Sequence, residues 1–184
     1  MERVENNEYK ERPFERLKVY FSNSIKGEIG KVEDIGVSVV TFLIEKGADV
    51  LSENVAFLKP EIGLPIFQRR TGIDLTKVTD DMERARIIRK ADINWVDNAT
   101  HLIAIVNGAS YGVGIELQRA MDKPKMGMNR TPVLCLAHKD SFSGLSNMIK
   151  GIDPVAEGIP FELTAYEDLE DAKIKITDFL MKNK

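Results

Sequence analysis

The chain has 184 residues, 43% of them hydrophobic and 30% charged, an ordinary balance for a globular protein with a real core. A formal charge of −3 removes the electrostatic case for a nucleic-acid polymer as partner, and no apolar run approaches the length of a membrane span. Cys135 is the single cysteine, which excludes an internal disulfide, and residues 1–16 are polar and mixed in charge, unlike a secretory leader; both point to the cytoplasm.

Residues 17–21, Leu-Lys-Val-Tyr-Phe, read as a first strand, followed by a polar loop over 22–27. Val32, Ile35, Val39 and Leu43 mark one face of a helix over 31–46, and Gly47 supplies its stop. Val50 and Leu51 begin a short second strand that ends near Glu53. Residues 57–71, broken by Pro60, Gly63 and Pro65, read as a long irregular loop or insertion over one end of the sheet. A helix starts near Thr79 or Asp80, and Met82, Ala85, Ile88, Ile93 and Val96 suit its buried stripe. Residues 101–106 form a third strand and 112–121 the next helix, stopped by Pro124. A fourth strand over 132–137, a loop with one helical turn over 141–151, a fifth strand over 161–166 and a closing helix over 169–181 complete the chain.

This alternation predicts an α/β fold: a Rossmann-like or flavodoxin-like three-layer sandwich around a five-stranded parallel sheet. Residues 17–184 form one domain with an insertion near 57–80, behind a polar extension over 1–16. Ligands on such sheets bind at the carboxyl ends of the strands, where the loops over 22–27, 53–54, 107–112 and 138–151 emerge.

The stretch richest in chemistry is 110–116, Ser-Tyr-Gly-Val-Gly-Ile-Glu. Two glycines at a strand-to-helix turn let a ligand approach the backbone, and free N–H groups at a helix start suit phosphate. Glu116, half a turn into that helix, can attack a sugar carbon. A phosphorylated sugar is thus a candidate substrate. His101 and His138 lack partners at metal-ligand spacing, so no metal or other cofactor is expected. Cys135 reads as a buried strand residue, and Lys173, Lys175, Lys182 and Lys184 as a solvated helix face with a basic end.

Three stretches carry a family resemblance: Val-Tyr-Phe-Ser-Asn-Ser-Ile-Lys-Gly at 19–27, Asp92 with 110–116, and Leu-Ser-Asn-Met-Ile-Lys-Gly at 145–151. Together they resemble the 2'-deoxynucleoside 5'-phosphate N-hydrolases, a branch of the nucleoside 2-deoxyribosyltransferase superfamily. The resemblance implies cleavage of the N-glycosidic bond of a nucleoside monophosphate to free base and sugar 5-phosphate. It implies Glu116 as the nucleophile, Asp92 as the acid/base carboxylate and Tyr20 as a positioner of the nucleophile. It further implies phosphate contacts from Ser110 and Gly112, a nucleotide-embracing loop of Ser24, Ile25, Lys26 and Gly27, and an apolar contact to the base from Ile88. Ser146 and Met148 match residues that a neighbouring subunit lends, which implies a homodimer with shared sites. Asn23, Asn54 and the pair Thr100-His101 depart from the family's usual glycine, histidine and Ala-Asp-like residues. A deoxyribosyltransferase and a nucleotide-binding protein without turnover are the alternatives; the phosphate elements argue against the first, and the presence of both carboxylates against the second.

Overall fold

The computed structural model describes residues 12–23, 35–57 and 59–184. Five strands, β1 (Lys18–Asn23), β2 (Asp49–Val50), β3 (His101–Ile105), β4 (Val133–His138) and β5 (Phe161–Tyr166), form one parallel sheet in the order β2-β1-β3-β4-β5. The predicted Rossmann-like sandwich is therefore the observed fold. The chain reverses its direction of travel across the sheet between β1 and β3, and a crevice opens beyond the carboxyl ends of such a neighbouring pair.

Alternation along the strands sorts the core into two layers. Val19 and Phe21 of β1, with Ile103 and Ile105 of β3, pack beneath α1 (Gly36–Glu45) and the C-terminal helix. Tyr20, Leu102, Ala104 and Cys135 face the opposite layer, which holds α2 (Pro60–Thr71), α3 (Asp81–Asn98) and α4 (Tyr111–Asp122). α1 ends as its sequence predicts. Gly47 adopts φ +98°, its N–H bonds the Ile44 carbonyl at 3.0 Å, and Ala48 N–H bonds the Leu43 carbonyl at 2.9 Å, the paired bonds of a Schellman stop. Ahead of β1, Phe14 is fully buried and meets Phe42 edge to face at 5.9 Å.

Residues 57–71 depart from the predicted loop. Pro60 occupies the first turn of α2, where its missing N–H costs nothing, and Pro65 interrupts the helix interior. Tertiary contacts outweigh that interruption. Phe67 is buried edge to face against Trp95 of α3 at 5.7 Å. Arg70 donates to Asp49 Oδ1 at 2.7 Å and to the Val50 carbonyl at 2.8 Å, fastening α2 to β2. Where a loop with one helical turn was expected over 141–151, two short helical turns stand, α5 (Lys139–Phe142) and α6 (Asn147–Lys150). α7 (Pro154–Glu157) precedes β5, and α8 (Leu169–Lys182) closes the chain.

Candidate active site

A cavity of about 660 Å³ lies at the carboxyl ends of β1 and β3. Phe57, Leu64, Phe67 and Leu75 form its apolar wall, so α2 and the residues flanking it build that wall. Asn23, Ser110, Asp92 and Glu116 supply its polar side. A second cavity of about 330 Å³ lies between α3 and α4, and Ile88, Asp92, Gly112 and Glu116 line both. Helical spacing explains that shared wall. Ile88 and Asp92 are four residues apart on α3, and Gly112 and Glu116 four apart on α4.

Two ties hold these helices together. Arg119 of α4 forks onto Asp97 of α3, with both bonds at 2.7 Å. The buried Lys123 ammonium donates to the Val96 and Ala99 carbonyls at 3.1 and 2.9 Å and to Thr131 Oγ1 at 2.6 Å, covering the end of α3. Ser110 caps α4, its hydroxyl accepting from Val113 N–H at 3.4 Å, while the Tyr111 and Gly112 amides at the helix start have no intrahelical acceptor. Asn107 anchors the turn before this cap, donating to Tyr166 Oη at 2.6 Å and accepting from His138 N–H at 2.5 Å.

The site holds two carboxyls in a poorly solvated place. Burial, then the nearby Glu116 charge, pushes Asp92 up to about 7. Asp92 Oδ1 is buried and makes no hydrogen bond among the described residues. Burial also raises Glu116, against the lowering effect of the Ser22 and Tyr20 hydroxyls. The Tyr20 hydroxyl is held well above its usual range by burial and by the Glu116 and Asp92 charges; it faces Glu116 without completing a well-aligned hydrogen bond. A protonated acid beside an ionisable carboxylate is the arrangement that acid-assisted glycosidic cleavage needs.

The structure brings Tyr20, Ile88, Asp92, Ser110, Gly112 and Glu116 to one place. Glu116 is the sixth residue of α4, a turn and a half in rather than half a turn. Both glycines of 110–116 lie inside the helix rather than in the turn. Ser146 and Met148 line neither cavity: Ser146 caps α6 and Met148 is 83% exposed. Ser24, Ile25, Lys26 and Gly27 lie outside the described residues. Asn23 and Asn54 both line the larger cavity. Thr100 is structural, its hydroxyl bridging Lys18 N–H and carbonyl at 3.0 Å each, and His101 Nε2 sits 3.0 Å from the Asn183 carbonyl. Cys135 is fully buried, and its thiol is pushed up to about 12.

Ser22 is the residue that sequence reasoning missed. Its hydroxyl donates to Glu116 Oε2 at 2.5 Å. The signal was present, because strand alternation puts Ser22 on the same face as Tyr20. Among the described residues no three His, Cys, Asp or Glu side chains gather as a metal site, and no helix is long and apolar enough to cross a membrane.

No protein-family model matches the chain. Curated relatives do. A 5-hydroxymethyl-dUMP N-hydrolase of Rattus norvegicus is 31% identical over 152 residues, 83% of this chain and 78% of that protein. One of Tetraodon nigroviridis is 34% identical over 137 residues, covering 74% and 81%. A putative 2'-deoxynucleoside 5'-phosphate N-hydrolase 1 of Nematostella vectensis is 30% identical over 136 residues, covering 74% and 78%. At this identity and coverage, and with both carboxyls gathered at the crevice, the chain belongs to the 2'-deoxynucleoside 5'-phosphate N-hydrolase family of enzymes.

Proposed function

We propose that this chain hydrolyses the N-glycosidic bond of a (deoxy)nucleoside 5'-monophosphate, releasing free base and (deoxy)ribose 5-phosphate. The observation that carries this reading is the pair of half-buried carboxyls on the shared cavity wall, with Asp92 pushed up to about 7. Glu116 attacks the anomeric carbon through one carboxylate oxygen. The bond from that carbon to the base nitrogen breaks, its electron pair leaves with the base, and the Asp92 proton neutralises it. Water then attacks the anomeric carbon and gives its proton to Asp92. The sugar–Glu116 bond breaks and its electrons return to the carboxylate.

The apolar wall of Phe57, Leu64, Phe67 and Leu75 receives the base, beside Ile88. The Ser110 hydroxyl and the free amides at the start of α4 receive the phosphate, with Lys26 as a further charge. Ser146 and Met148 complete the site of a second copy in a homodimer. The exposure of Met148 on α6 and of Tyr111 on α4 supports that assembly.

The test is a panel of nucleosides and 5'-monophosphates, with and without a second base, followed by chromatography for free base. Release from monophosphates, much slower release from bare nucleosides and a loss of about a thousandfold or more in Glu116→Gln are expected. Transfer of the sugar to the added base, or near-normal turnover by Glu116→Gln, would overturn the reading.

A further inference from the structure

The strand that carries Tyr20 carries a second hydroxyl to the same carboxylate. Ser22 is 1% exposed near the end of β1, and its position is fixed by the sheet, where it pairs with Ala104 of β3. Its Oγ reaches across the layer to α4 and donates to Glu116 Oε2. A buried serine on a central strand, two residues beyond Tyr20, has a well-defined direction, since the strand backbone cannot rotate. A glutamate side chain has three rotatable bonds and must be held if one oxygen is to face a reacting carbon.

We infer that Ser22 is a positioning residue for the nucleophile: its hydroxyl holds one carboxylate oxygen of Glu116 from the sheet and turns the other toward the anomeric carbon. This rests on the role proposed above for Glu116.

The bond acts in both halves of the reaction. Before attack it fixes the carboxyl plane and favours the ionised form, opposing burial. In the sugar ester Oε2 becomes the carbonyl oxygen, a weaker acceptor. When water displaces the ester, negative charge returns to the carboxylate, and the waiting hydroxyl stabilises it as a leaving group. The other groups facing Glu116 are the Tyr20 hydroxyl of β1 and the Asp92 carboxyl of α3. Neither replaces Ser22: Asp92 keeps its proton for the departing base, and the Tyr20 hydroxyl completes no well-aligned bond to Glu116.

The experiment compares wild type, Ser22→Ala, Ser22→Thr and Ser22→Cys on a 5'-monophosphate that wild type cleaves. kcat and KM are measured from pH 4 to 9. Ser22→Ala is expected to lose about tenfold or more in kcat with KM changed less than twofold. The acidic limb of its profile should move up by about one pH unit, as expected for a lost hydrogen bond to a charged group. Ser22→Thr keeps the hydroxyl and should restore the limb; Ser22→Cys fills the volume with a poor donor and should behave like alanine. A ¹³C titration of the Glu116 carboxyl gives the same comparison without turnover. An unmoved limb in folded, active Ser22→Ala, or a cysteine variant matching wild type, overturns the assignment of Ser22 and leaves Glu116 standing. An inactive wild type, or an active Glu116→Gln, removes the nucleophile and the inference with it.

Discussion

Asp92 separates the needs of the fold from those of the chemistry. Burial, then the Glu116 charge, pushes its carboxyl up to about 7 in the folded chain, against an ordinary value of 3.8. A carboxyl raised in this way contributes stability that is complete below about pH 4 and is lost as pH rises through about 7, because the folded chain must then hold a charge in a poorly solvated place. Asp92→Asn removes that loss. The variant should match wild type in Tm at pH 4 and exceed it by about 3 °C or more at pH 8, read by thermal melts across pH. Activity should move the other way. Wild-type kcat should fall above about pH 7 as the acid is lost, and Asp92→Asn should be crippled on ordinary bases and less so on a base that leaves well without a proton. Melts that coincide at every pH would mean that Asp92 is not raised in the folded chain.

At the level of elements, α4 shows how a helix start can be kept open for a ligand. A Cβ added at Gly112 would come no closer than 3.7 Å to another group, Ser110 Oγ, which is ordinary contact. Packing within the chain therefore does not require glycine there, and an alanine in this exposed turn should stabilise the helix by about 0.5–1 kcal/mol. The proposed phosphate site does require the space. Gly112→Ala should raise Tm slightly while raising KM for the monophosphate severalfold; unchanged KM would place the phosphate elsewhere. The stripe expected on α3 is not its buried face, since Met82 is 62% exposed and the buried residues are Trp95 and Val96, and the second strand covers Asp49–Val50 rather than running to Glu53. The order of the strands, the start of α3 at its Asp80 cap and the Gly47 stop were legible in sequence because each rests on local alternation or a local cap. α2 was not. Its two prolines signal a break, while what holds it is distant: Trp95 against Phe67, and Asp49 and Val50 on Arg70. The carboxyl pair was legible through the resemblance that links Asp92 to 110–116; strand alternation put Ser22 on the face of Tyr20, while its bond to Glu116 became visible only when β1 and α4 were brought together.

On the scale of the whole molecule, the proposed homodimer is tested through Ser146 and Met148. Tyr20 and Ser22 come from β1 of the sheet, and Asp92 and Glu116 from the two helices, α3 and α4, packed on one side of it. Ser146 and Met148, by contrast, sit on α6 away from both cavities of their own chain. If a two-fold axis lends them to the partner's site, each site contains Glu116 from one chain and Ser146 from the other. Glu116→Ala and Ser146→Arg should then each abolish activity as pure proteins. In a mixed dimer one site would be doubly damaged and the other intact. Random exchange at equal concentrations makes half of the dimers mixed, so about a quarter of wild-type activity should return. Wild-type activity per chain should also fall on dilution below the dimer dissociation constant. A fully active monomer by light scattering, or no rescue in dimers shown by mass to be mixed, would refute the shared site and leave Ser146 with its local task of capping α6.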